Sequence, residues 1–123
     1  MQLAINIFIG LVAFTHIYIL WMEMFAWESR GPKVFSGFPK DLFSKTKAMA
    51  ANQGLYNGFL AAGLIWSFFI ENAEWKANVA LFFLACVLIA GLYGAITVDK
   101  KTIFVQAIPS LIPIVLILSL IHI

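Results

Sequence analysis

Residues 77–98, ANVALFFLACVLIAGLYGAITV, run for 22 positions without a charged side chain. As a helix this stretch is about 33 Å long, enough to cross a hydrocarbon core of about 30 Å. It is too long for a buried strand, so it predicts a membrane-spanning helix. Three further stretches of similar character occur at roughly 3–26, 48–70 and 102–121. Short connections favour antiparallel neighbours, and the expected fold is an all-α, four-helix transmembrane bundle forming one membrane domain over residues 1–123.

Composition agrees. Of 123 residues, 63% are hydrophobic and 11% charged, and the mean hydropathy is +0.95. An ordinary soluble domain carries roughly a quarter charged residues, so this chain reads as an integral protein of the cell membrane with several passes. The first run has no basic leader and no small-residue cleavage signal, and it reads as a retained helix. The net charge of +2 resides in loops, which argues against a nucleic-acid partner. Cys86 stands alone inside an apolar run, where it reads as a small packing residue.

The basic residues set an orientation. Arg30, Lys33, Lys40, Lys45 and Lys47 fall in or beside the first connection, and Lys100 and Lys101 fall in the third. These two connections share a side in a four-span topology. By the positive-inside rule that side is cytoplasmic, and both termini face outward. The first connection contains GPKVFSGFPKDLF at 31–43, whose alternating aromatic, lysine and proline residues suit a segment lying among lipid headgroups. Trp21, Trp27 and Trp75 fall near the expected interfaces and read as aromatic anchors.

On this topology the polar residues collect in the cytoplasmic half. Glu23 lies about 5 Å inside the cytoplasmic end of helix 1, and His16 about 15 Å. Their spacing of seven places them within about 20° of one helix face. Asn52, Gln53, Tyr56 and Asn57 occupy the first turns of the second span over an arc of about 140°. Gly54, Gly58 and Ala61 lie on the other side as a surface of small residues, on which a homodimer could close. Tyr93 and Thr97 end the third span, and Gln106 and Ser110 begin the fourth. Pro109 and Pro113 each remove a helical N–H and leave a carbonyl open to an inward-facing group.

Unpaired polar groups in hydrocarbon cost several kcal/mol, so about ten such groups in one half of the bilayer predict a polar pocket. Glu23 and His16 are the candidate acid–base pair; Asn52, Gln53, Tyr56, Asn57, Tyr93, Thr97 and Gln106 are the candidate ligand-binding residues. Nothing calls for a metal, since His16 has no second ligand nearby and His122 is expected at the far end of the last helix. No phosphate-binding loop, dinucleotide fingerprint or nucleophile elbow is present, and no cofactor is expected. Three functions fit. The chain binds, and by acid–base chemistry transforms, a small lipophilic or amphipathic molecule; or it is a proton-coupled transporter acting as a dimer; or it is a non-catalytic assembly factor among membrane lipids.

HIYILWMEMFAW at 16–27, NQGLYNGFLAAGL at 52–64, AGLYGAITV at 90–98 and QAIPS at 106–110 resemble a bacterial and fungal family of short four-helix integral membrane proteins, classed as a domain of unknown function. The resemblance covers roughly 3–118. It implies signature positions at His16, Glu23, Asn52, Gln53, Gly54, Tyr56, Asn57, Gly91, Tyr93, Gly94, Thr97, Gln106 and Pro109. It implies a membrane location and transfers no activity.

Overall fold

The structure is a computed structural model that describes residues Met1–His122. All regular structure among these residues is helical. In chain order the helices are α1 (Gln2–Phe25), α2 (Gly31–Val34), α3 (Lys40–Lys45), α4 (Lys47–Phe68), α5 (Ala73–Thr97) and α6 (Ile108–Ile121), with a π-helical segment at Ile103–Ala107 running into α6. Among the described residues, three stretches are long and apolar enough to cross a membrane: Gln2–Phe25, Ala73–Thr97 and Ile103–Ile121. α4 has the length, at 22 residues, but Asn52, Gln53, Tyr56 and Asn57 dilute its apolar character. The chain is therefore a helical, membrane-type protein with three clear candidate spans.

The chain divides into two compact units, one formed by Met1–Thr15 with the residues from Leu60 onward, the other by His16–Phe59. In the first unit, Ile5, Ile9, Val12 and Ala13 of α1 bury against Leu64, Ala80, Leu84, Val87 and Ile117. The α1 positions recur at four, three and one residues, a narrow apolar seam, while the remaining faces of the same helix expose Leu3, Ile7, Leu11 and Phe14. Aliphatic side chains on the outside as well as the inside are what a lipid-facing helix requires.

α5 begins four residues earlier than its apolar run suggests. Asn72 caps it by accepting a hydrogen bond from the Trp75 backbone N–H at 3.0 Å, and Glu74 lies in the first turn, where the helix dipole favours a carboxylate. The segment ENAEWKAN, at 71–78, reads from its charges as the connection between the apolar runs at 48–70 and 77–98, but is largely helix.

α5 and the π-helical segment approach closely. A Cβ on Gly91 would stand 2.7 Å from the Ala107 backbone nitrogen and 2.9 Å from Gln106 Cβ, so only glycine permits this spacing. Thr102 Oγ1 donates to the Gly91 carbonyl at 3.0 Å and ties the turn back onto α5. The π-helical turn ends two residues before Pro109, which cannot donate to the carbonyl four residues back, and Ile108 N–H reaches Ile103 O, five residues back.

In the second unit the first connection folds on itself. Phe43 is 1% exposed, with its ring 4.9 Å from that of Trp27, and Phe35 and Phe38 stack at 5.5 Å. Trp27 Nε1 donates to Thr46 Oγ1 at 3.0 Å. The aromatic residues expected to lie among headgroups thus partly cover one another, and the lysines of this segment remain exposed. Trp27 is a packing residue of this cluster, whereas Trp21 and Trp75 are exposed.

Candidate functional site

The His16–Phe59 unit brings Glu23 and Asn57 together. Gly54 makes this possible: a Cβ there would stand 2.8 Å from Met24 Cγ, 3.0 Å from Glu23 Cβ and 3.2 Å from the Leu20 carbonyl oxygen. A Cβ on Gly58 would likewise collide with the Leu20 side chain. With glycine at both positions α4 lies directly on the last turns of α1. The small-residue surface of Gly54 and Gly58 thus meets α1 within the chain.

Asn57 lies three residues from Gly54, about 60° around the helix, and turns toward the same neighbour. Its Nδ2 donates one proton to Glu23 Oε1 at 2.8 Å and the other to its own helix, at the Gln53 carbonyl, 3.1 Å. Both amide protons are thereby used and the orientation of the carboxamide is set. Glu23 and Asn57 are both buried. Glu23 Oε2 and Asn57 Oδ1 accept no hydrogen bond among the described residues, leaving two acceptors on adjoining groups. His16 is completely buried two turns back along α1, about 10 Å from Glu23 by helix rise.

Within this unit, the side chains of the other expected ligand-binding residues do not join the pair. Asn52, Gln53 and Tyr56 are exposed, Tyr56 at 61%. Asn52 Nδ2 bonds the Ala48 carbonyl of its own helix, and the Tyr56 ring meets Phe59 edge-on at 5.8 Å. An arc of 140° is wider than one helix–helix contact, so only its edge member Asn57 turns inward. In the first unit Tyr93 is 68% exposed, and Thr97 Oγ1 is satisfied by the Tyr93 carbonyl one turn back. Gln106 is half-buried with its Cβ at Gly91, and Ser110 Oγ donates to the Ala107 carbonyl. Both hydroxyls close carbonyls of their own helices. No group of His, Cys, Asp or Glu suited to a metal occurs among the described residues.

The chain is 34% identical over 98 residues to an uncharacterized protein, YpaA, of Lactococcus lactis subsp. lactis (strain IL1403), covering 78% of this chain and 81% of that protein. No solved structure matches it. The family described as protein of unknown function (DUF1304) matches residues 10–118, a span that holds Glu23, Gly54, Asn57 and Gly91. The chain belongs to the DUF1304 family.

Proposed function

We propose that this chain is an integral membrane protein in which the Glu23–Asn57 centre binds a small amphipathic molecule through a hydroxyl or amine group and exchanges a proton with it. The observation that carries this reading is the buried 2.8 Å bond between Asn57 and Glu23. A carboxyl group inside a candidate membrane span is costly to keep, and such residues mark functional sites by default. The bond fixes one carboxyl oxygen, while Glu23 Oε2 and Asn57 Oδ1 together suit a group that donates hydrogen bonds. His16, on the same face two turns deeper, is the second proton-exchanging group. Its spacing suits the opposite end of a ligand or a relay through water.

Four crossings follow from the charge distribution. If α4 stayed on one surface, the basic segment 27–47 and Lys100–Lys101 would face opposite sides. With α4 crossing, they share the cytoplasmic side of the cell membrane and both termini lie outside. Asn52 and Gln53 then sit within two turns of Lys47, where headgroups and water hydrate them. A cysteine placed at Ser36 in a Cys86→Ala background should react with a membrane-impermeant maleimide only when the cytoplasmic face is exposed. Labelling of intact cells would reverse the orientation.

Native mass spectrometry of protein released gently from its membranes tests the ligand directly. The expected result is a reproducible non-lipid mass that is lost on Asn57→Leu. A protein carrying bulk lipid alone would favour the assembly-factor reading, in which the pair only clamps helices.

A further inference from the structure

A cavity of about 540 Å³ opens in the first unit, between the amino-terminal turns of α1 and α5 and the last turns of α6. Its volume is within the roughly 300–1,000 Å³ of small-molecule sites. The walls are apolar: Ile5 and Ile9 from α1, Ala77 from α5, Ile117 and Leu120 from α6. The mouth is not. Asn6 of α1 and Glu74, Lys76 and Asn78 of α5 also line it.

Glu74 and Lys76 are two residues apart on one helix, a spacing at which side chains do not face each other. Neither enters an ion pair among the described residues. The cavity therefore presents a separated negative and positive charge, with the carboxamides of Asn6 and Asn78 and hydrocarbon walls beside them. That is the complement of a zwitterionic amphiphile carrying an acidic phosphate, a primary ammonium and an acyl chain.

We propose that this cavity binds a phosphatidylethanolamine-type lipid, one acyl chain between α1, α5 and α6, its phosphate on Lys76 and its ammonium on Glu74. Asn6 and Asn78 supply hydrogen bonds to the headgroup. On the topology proposed above the lipid comes from the outer leaflet. The site shares no residue with the Glu23–Asn57 centre, so either assignment can fail without the other.

The test is native mass spectrometry of the full chain in detergent, titrated with phosphatidylethanolamine and with phosphatidylglycerol of identical chains. One phosphatidylethanolamine per chain should bind, about tenfold more tightly than phosphatidylglycerol, whose headgroup has no ammonium for Glu74. Glu74→Gln should bring the two lipids level. Ala77→Phe, which fills the cavity, should weaken both by about tenfold or more. Should Ala77→Phe fail to fold, Lys76→Gln at the half-buried rim should still reduce phosphatidylethanolamine retention. Equal binding of the two lipids by the unaltered chain, or binding indifferent to these substitutions, would overturn the assignment.

Discussion

Asn57→Leu should destabilise the His16–Phe59 unit by about 2–3 kcal/mol, the cost of leaving a buried polar group without its partner. Leucine is close to asparagine in size and favours helix, so neither a void nor a propensity loss obscures the result. What disappears is the donor to Glu23 Oε1 at 2.8 Å. Glu23→Gln provides the contrast. Its carboxamide oxygen can accept the same bond from Asn57, and the expected loss is below about 1 kcal/mol. The double variant should then cost less than the sum of the two, because once Asn57 is gone a neutral group is easier to leave buried than a carboxyl. Thermal unfolding in detergent, followed by tryptophan fluorescence, reads all three variants. An Asn57→Leu midpoint equal to that of the parent would show that the bond carries no stability.

Gly91→Val should have the largest effect in the other unit, about 3 kcal/mol or more. The obstacle to a side chain is backbone: the Ala107 nitrogen at 2.7 Å and Ala107 Cα at 3.1 Å from the Cβ position. Backbone atoms have no alternative rotamer, so the π-helical segment must move away from α5. That movement also breaks the 3.0 Å bond from Thr102 Oγ1 to the Gly91 carbonyl. Amide exchange should therefore accelerate across Ile103–Ala107 and the end of α5. A parallel Gly10→Ala change, where a Cβ would meet nothing within 4 Å, should leave exchange unaltered.

Much of this was legible from residue order because length and apolarity are local properties. The run at 77–98 identifies α5 without any partner, and the chemistry of Glu23, His16 and Asn57 singles them out in an apolar setting. The start of α5 at Ala73 was legible too, since Asn72 caps it and Glu74 follows, but the charges of ENAEWKAN read more simply as a connection. Angular position was harder to read. A carboxamide at the rim of a polar arc and a glycine 60° away can equally face lipid or a neighbour, and only the approach of α4 to Leu20–Met24 decides that Asn57 turns in while Asn52, Gln53 and Tyr56 do not. The aromatic cluster around Phe43 was illegible for a related reason. Alternating aromatic and basic residues fit both a membrane surface and a small folded loop, and the choice depends on Trp27, sixteen residues earlier.

The central claim is that the Glu23–Asn57 centre acts on a ligand rather than only joining α1 to α4. Glu23→Gln separates the two roles, because it keeps the hydrogen bond and removes the acid. The decisive measurement is small-molecule retention by purified Glu23→Gln protein whose thermal midpoint matches the parent. Loss of the retained compound from a protein that is still folded is the predicted result. Undiminished retention by the same protein would contradict it, and would leave Glu23 a clamp between two helices.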